Sequence, residues 1–381
     1  MRGFTFHHGP TLLSGAGKLQ DLVDRLPQGP CLLVSDADIV RLALIDRCRD
    51  ALNAGGRDAV LFDAVEADPS RDTLLAAVEL GRRAGTVSVV GFGGGSPMDV
   101  AKLAAYLLGS GDDLDAIWGV NLAKGPRLPL ALVPTTAGTG SEATPISVIT
   151  GEGGVKLAVN SWPLLADVAL LDPELTVGLP RHVTAATGVD AIVHAVEAYT
   201  SARLKNPLSD ALAREALGLL TGNLLKACND PEDRDARSAM LLGAHLAGIA
   251  FANAPVAGVH ALAYPLAGVH HLPHGLTNAL MLRPVLEHNS KAARELYAEL
   301  APIVHPGCAG AGTQGKVRAL IDGLERLCVE SGLKLRLRDH GITAGDLPRL
   351  ARDAMLGQRM LVNNPCPISE SDALRLYEAA W

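Results

Sequence analysis

One carboxylate and several imidazoles cluster in two segments of this chain. Asp190 and His194 lie in GVDAIVHAVEAYTS (188–201), and His260 and His274 lie in GVHALAYPLAGVHHLPHG (258–275). Four of the chain's 12 histidines fall between positions 260 and 274. Divalent ions such as Fe²⁺ and Zn²⁺ take imidazole nitrogens and carboxylate oxygens. If the two segments meet in space, they hold such an ion. Asp190 and His194 are four residues apart, so on a helix they share one face, one turn apart. Alone, that pair reads more simply as an i,i+4 hydrogen bond. The second segment shifts the balance toward a metal. There His260, Tyr264, His270, His271 and His274 crowd together, too many to be ligands of one ion. Pro265, Gly268, Pro273 and Gly275 break any long helix across it. His182, His245, His288, His305 and His340 stand alone and read as surface or core histidines.

Two turns upstream suit a nucleotide. GFGGGSPMDVAK (91–102) follows an apolar strand and opens a helix. Its glycines let a phosphate approach the backbone, and a helix N-terminus offers free N–H groups. The spacing is neither Gly-x-Gly-x-x-Gly nor a Walker A loop, so a plain glycine turn is the competing reading. PTTAGTGSE (134–142) supplies hydroxyls at Thr135, Thr136, Thr139 and Ser141, which clasp a pyrophosphate or ribose, or simply cap their own turn. Asp36 ends the first clear strand. A carboxylate there binds an adenosine ribose and repels a 2′-phosphate, favouring NAD over NADP. It serves equally well as a helix N-cap.

These residues need a scaffold. CLLVSD (31–36), DAVLF (58–62), VSVVGFG (87–93) and LPLALVP (128–134) read as buried parallel strands, with amphipathic stretches such as 72–84 between them. That alternation predicts a parallel α/β sheet with helices on both faces. From about 180 onward, apolar residues recur at helical spacing over 183–200, 208–228, 234–251, 315–331, 346–356 and 369–380. Ser369, three residues before Asp372, marks a helix start. The expected division is 1–179, an α/β dinucleotide-binding domain, and 180–381, an all-helical domain. The short join predicts halves that pack with a small-molecule cleft between them.

Bulk composition excludes other classes. The 381 residues are 48% hydrophobic and 20% charged, enough for a large core and against disorder. The net charge of −7 argues against a nucleic-acid partner. No run approaches the length of a membrane span, and no export signal is visible. The six cysteines (Cys31, Cys48, Cys228, Cys308, Cys328, Cys366) are scattered without a CxxC pair, as expected of reduced thiols in a cytoplasmic protein.

GGGSPMDVAK, PTTAGTGSE, GVDAIVHAVEAYTS and the segment from His260 to PHG resemble, in this order, the iron-containing (group III) alcohol dehydrogenases. The resemblance runs from GPTLLSGAGKLQDL to RMLVNNPCPISESDAL. It implies a dehydroquinate synthase-like pair of domains with the active site in their cleft. It implies that Asp190, His194, His260 and His274 bind one Fe²⁺, with Zn²⁺ the alternative. It further implies that Gly94, Gly95, Ser96, Asp99, Thr135, Thr136 and Thr139 touch NAD, that Lys156 lies near the cofactor, and that Asp36 stands at the NAD-preference position. A homodimer acting on a small alcohol or aldehyde follows from the same resemblance. The metal would be a Lewis acid on the substrate oxygen beside the nicotinamide.

One position departs from the pattern. Many members carry a histidine four residues after the third ligand, to which a proton-relay role has been assigned, and this chain has Tyr264. The tyrosine hydroxyl, His271 or solvent takes over that role. Some branches with tyrosine here are hydroxyacid–oxoacid transhydrogenases, which stays an alternative. A maleylacetate reductase-type enzyme ranks lower because all four ligand positions are intact. A non-catalytic nucleotide-binding protein ranks lower still.

Overall fold

The computed structural model describes residues 3–151 and 155–381. It divides into two compact units, His8–Val177 and Gly178–Trp381, and the segment ending at His7 groups with the second. A two-way bond explains that grouping: the His7 N–H donates to Asn253 Oδ1 at 2.8 Å and Asn253 Nδ2 donates back to the His7 carbonyl at 2.9 Å.

The first unit contains strands β1 (Thr11–Ser14), β2 (Cys31–Val34), β3 (Ala59–Phe62), β4 (Ser88–Gly93), β5 (Gly119–Val120), β6 (Leu130–Pro134), β7 (Ile146–Thr150), β8 (Lys156–Asn160) and β9 (Val168–Leu171). Six form one sheet in the order β1-β9-β6-β4-β2-β3, every pair parallel. Alternate residues serve opposite faces. Leu32, Val34, Val89, Leu130 and Leu132 pack into one apolar cluster with the helix Gly95–Ser110. Cys31, Leu33, Val90, Phe92, Ala131 and Val133 pack into another with Ile45, Cys48 and Leu52 of the helix Leu44–Ala54. Both faces are therefore covered, which is why these strands read as continuous apolar runs. Strands β1 and β9 escaped the sequence reading. So did a second sheet, β5-β8-β7, in which β7 and β8 run antiparallel, so the strands are not all parallel as expected.

The second unit is helical. Its longer helices are Arg181–Thr200, Pro207–Asn229, Arg234–Asn253, Gly258–His270, His274–Asn289, Arg294–Val304, Thr313–Ser331 and Glu370–Ala380. Side-chain caps fix several starts. Asn206 makes a capping box with Ser209 just before Pro207, Asp233 accepts the Ala236 N–H, and Ser369 makes a capping box with Asp372. The sequence breakers at 265–275 divide that stretch into two helices. Pro265 sits inside the first, and the break falls at His271–Pro273. From Thr184 to Thr200 the helix Arg181–Thr200 is buried at every position but Thr187. Among the described residues, no single helix is long and apolar enough to cross a membrane.

Candidate functional site

A helix buried on all sides must bury whatever polar residues it carries, and uncompensated ones are costly. On Arg181–Thr200 these include Asp190, His194 and Glu197, each at most 4% exposed. Their compensation comes from two other helices. His260 lies in the first turn of Gly258–His270, and His274 is the first residue of His274–Asn289. Three imidazoles converge on one carboxylate oxygen. From Asp190 Oδ1, His274 Nε2 is 3.6 Å away, His260 Nε2 3.9 Å and His194 Nε2 4.0 Å. Two atoms bound to one ion at about 2.1 Å lie at most ~4.2 Å apart, so these spacings fit a shared ion. Ligand atoms of Asp190, His260 and His274 all lie within 4.8 Å of one another, and His194 stands outside that tight group, joined to it by its approach to Asp190 and its stacking on His260. Burial works to raise the Asp190 carboxyl pKa, but the His194, His274 and His260 rings and the Asn278 amide outweigh it and hold the group below the usual carboxylate range. The anionic form that a cation requires is thus favoured. His194 and His260 stack at 4.7 Å, and Phe251 stacks on His194 at 4.4 Å. The His274 side chain is 39% exposed, against 3% for Asp190 and His260, giving the cluster one accessible wall.

One glycine lets two of these helices meet, and a second seats the third helix against Asn364. A Cβ on Gly275 would stand 2.1 Å from the Ala186 carbonyl oxygen of the neighbouring helix. A Cβ on Gly258 would stand 2.7 Å from Asn364 Oδ1, which instead accepts the Gly258 N–H at 3.2 Å. The PHG triplet thus joins a ligand-type histidine to the residue that lets its helix touch the Asp190 helix. Tyr264 is half-buried, its ring edge-on to His274 at 5.8 Å. His271 is exposed, adopts φ 54° and closes the Gly258–His270 helix.

Two residues that the sequence reading did not single out belong to this cluster. Glu197 accepts the Ala257 N–H at 2.8 Å and the Val259 N–H at 2.6 Å, and its Oε2 lies 2.7 Å from His260 Nδ1. Asn278 Nδ2 donates to Asp190 Oδ1 at 2.5 Å and lies 3.2 Å from His260 Nε2 and 3.3 Å from His274 Nε2. Spacing carried a signal for both. Glu197 is seven residues after Asp190 and three after His194, and Asn278 is four after His274, so each shares a face with a candidate ligand.

In the α/β unit, the two turns adjoin. Thr136 Oγ1 lies 3.7 Å from where a Gly94 Cβ would be, and Thr139 Cγ2 lies 3.0 Å from that of Gly95. The Thr135 N–H donates to the Gly93 carbonyl at 2.9 Å. Gly93 has φ 147°, and Gly91 has no room for a Cβ, which would stand 2.7 Å from both Ala101 Cβ and Leu132 Cδ2. Ser96 follows in the first turn of Gly95–Ser110, whose N-terminal N–H groups carry the positive end of the helix dipole. Asp36 is the N-cap the sequence allowed, its Oδ1 accepting the Ile39 N–H at 2.9 Å. Its Oδ2 lies 3.3 Å from the Gly93 Cβ position, facing the turn. Asp99 is turned inward. Its Oδ1 accepts the Ser141 hydroxyl at 2.6 Å and its Oδ2 the Val148 N–H at 2.9 Å. Beside it, fully buried Lys102 spends its three donors on Ser141 Oγ (2.6 Å), Thr144 Oγ1 (3.2 Å) and the Ile146 carbonyl (2.7 Å). Burial pushes the Asp99 carboxyl up and the Lys102 ammonium down, while each draws the other back toward its charged form. Lys156 is ion-paired to Asp68 at 2.5 Å and bonded to Thr150 Oγ1 at 3.0 Å.

Comparison with known proteins identifies the family and the fold. Residues 10–173 match the iron-containing alcohol dehydrogenase family, and residues 184–381 match the C-terminal part of the Fe-containing alcohol dehydrogenase family. The chain is 38% identical over 373 residues to long-chain-alcohol dehydrogenase 1 of Geobacillus thermodenitrificans, covering 96% of this chain and 94% of that protein. A crystal structure of 1,3-propanediol oxidoreductase superposes with a TM-score of 0.96 at 32% identity over the full length of both chains. Sulfoacetaldehyde reductase from Bifidobacterium kashiwanohense in complex with NAD+ gives 0.88 at 29% identity, covering 100% of this chain and 99% of that one. With both units matched in order and the carboxylate–imidazole cluster in the helical one, the chain belongs to the iron-containing alcohol dehydrogenase family.

Proposed function

We propose that this member of the family holds Fe²⁺ through Asp190, His194, His260 and His274 and transfers hydride between a small alcohol or aldehyde and NAD(H). The observation that carries the reading is the convergence of three Nε2 atoms on Asp190 Oδ1 at 3.6, 3.9 and 4.0 Å. An ion held there would supply Lewis-acid activation of the substrate oxygen, and NAD(H) bound at the glycine- and threonine-rich turns would supply the hydride acceptor or donor. Zn²⁺ suits the same donors, so elemental analysis decides between the two.

The chain's own residues do the rest. Gly94 and Gly95 let the dinucleotide phosphates approach the backbone, and Ser96 and the helix N-terminus offer donors to them. Thr135, Thr136 and Thr139 supply the facing hydroxyls. Asp36 keeps an oxygen toward the turn, which suits a ribose hydroxyl and disfavours a 2′-phosphate. Asp99 acts from beneath, tying its helix to the 141–148 segment. Lys156 belongs to the cofactor surroundings. Tyr264, edge-on to His274, moves the proton to or from the substrate oxygen, with exposed His271 the alternative relay. Tyrosine at this position favours one second reading, exchange between a hydroxy acid and an oxo acid. The six free cysteines fit a reducing, cytoplasmic setting, and a homodimer is the proposed assembly, read by sedimentation.

The test is metal analysis of the purified chain, then NADH oxidation across aldehydes and keto acids, with chelator and with Fe²⁺ restored. Activity lost on chelation and regained with Fe²⁺ supports the reading. Undiminished turnover in metal-stripped protein overturns it.

A further inference from the structure

Glu197 does more than fill a buried position. The two nitrogens of the His260 ring face opposite kinds of partner. Nδ1 lies 2.7 Å from Glu197 Oε2. A carboxylate only accepts hydrogen bonds, and this one also receives the Ala257 and Val259 N–H groups, which cannot act as acceptors. The other nitrogen, Nε2, lies 3.2 Å from Asn278 Nδ2. That amide nitrogen is identified independently, because it also meets the Asp190 carboxylate at 2.5 Å, where only a donor fits. Both sides of the ring therefore call for one tautomer, with the proton on Nδ1 and a bare lone pair on Nε2.

We infer that Glu197 is a positioning residue that sets the His260 tautomer and so readies Nε2, the nitrogen aimed at Asp190 Oδ1, as a metal ligand. The inference rests on the metal reading given above. The other tautomer carries its proton on Nε2 and presents no lone pair there. Glu197 also ties the ring to its backbone, because its oxygens take the N–H groups that flank the start of the Gly258–His270 helix. Ring orientation, tautomer and helix start are thus set by one side chain on the helix that carries Asp190 and His194. Outer carboxylates of this kind hold ligating histidines in metal sites generally, and their loss costs about 10–100-fold in metal affinity.

Glu197→Gln separates shape from chemistry. The amide is nearly the same size but has one acceptor in place of two. Whichever way it turns, its NH₂ faces either His260 Nδ1 and the Ala257 N–H, or the Val259 N–H. The first orientation drives the ring proton to Nε2 and sets donor against donor at the Ala257 N–H, and the second leaves an acceptor on Nδ1 but sets donor against donor at the Val259 N–H. The readout is a long-range ¹H–¹⁵N correlation spectrum of the chelator-treated, ¹⁵N-labelled full chain, with His260 assigned by its absence in His260→Ala. Expected is a proton held on Nδ1 in the wild type, a mixture of the two ring tautomers in Glu197→Gln, and a single Nδ1-protonated state again in Glu197→Asp, which keeps an acceptor-only group. Anaerobic titration with Fe²⁺ alone should give a Kd raised about 10–100-fold in Glu197→Gln and partly restored in Glu197→Asp. A wild-type His260 protonated on Nε2 overturns the inference whether or not a variant folds. So does Glu197→Gln with unaltered tautomer and Kd. If the tautomer changes as expected but the wild type binds no Fe²⁺, the tautomer assignment stands and the metal reading fails.

Discussion

Gly275→Ala is the sharpest test of how the cluster is assembled. The added Cβ would stand 2.1 Å from the Ala186 carbonyl oxygen and 2.6 Å from its carbon. Non-bonded heavy atoms settle at about 3.5 Å, so the two helices must separate by more than 1 Å, roughly. The obstacle is backbone, and no rotamer change relieves it. His274 is the neighbouring residue and travels with its helix, while Asp190 stays on the other. Their facing atoms, now 3.6 Å apart, would move to about 5 Å, beyond the ~4.2 Å that two atoms bound to one ion can span. The expected result is loss of His274 from the cluster, with metal content falling after dialysis and kcat/KM down about 100-fold, as a 1 Å misplacement can cost. Overpacking should also cost about 1–3 kcal/mol of stability, read by urea unfolding. Gly268→Ala is the control, since no atom lies within 4 Å of its Cβ position. It should keep full metal and activity and gain up to about 1 kcal/mol. A Gly275→Ala protein with wild-type metal content and kcat/KM would refute the argument.

Three further expectations follow from the same geometry. Tyr264→Phe should lower kcat by about 100-fold with metal content intact if the phenol relays the proton, and unchanged kcat would move that role to His271 or solvent. Lys102→Met removes one member of a buried charge pair and strands the oxygens it serves, so it should destabilise the chain by about 3 kcal/mol and weaken NADH binding in a fluorescence titration. An unshifted urea midpoint would show that Lys102 does not anchor the 141–146 segment. Asp167 tests the pH dependence. Burial works to raise its pKa, but Arg127, bonded at 2.6 and 2.8 Å, and the Leu130 N–H at 2.9 Å hold it below its ordinary value. A folded pKa below the unfolded value of about 3.9 gives stability that is present above pH ~4 and lost as pH falls through the folded pKa. The side chain is 53% exposed, so the contribution stays under about 1 kcal/mol, and Asp167→Asn should remove that part of the acid transition in urea titrations between pH 6 and 3.

Much of this protein was legible without coordinates. Strands β2, β4 and β6 announced themselves as apolar runs because both sheet faces are covered there, and the edge strand β3 was legible from the same apolar pattern. The last helix announced its start through Ser369, since capping is local chemistry. The i,i+4 spacing of Asp190 and His194 survived as a shared helix face because that helix runs unbroken from Arg181 to Thr200. Short β1, exposed at both ends, and the two-residue β5 carried too little pattern to be read. Asp36 had two equal readings, and the structure gives its oxygens separate directions, one to the Ile39 N–H and one toward the Gly93 turn.

Sequence by itself determined which atoms are available: one carboxylate, a set of imidazoles, two glycine- and hydroxyl-rich turns, and the order in which they occur. Those are properties of residue type and local periodicity, and they sufficed for the family resemblance. Only the tertiary structure decided which atoms meet. Asp99 points into the network beneath its helix because buried Lys102 must be paired. Glu197 and Asn278 join the cluster because three helices converge there, two of them in contact where Gly275 lacks a side chain. A residue's partners across a helix crossing depend on distances of a few ångströms between segments tens of residues apart, and no local pattern encodes those distances.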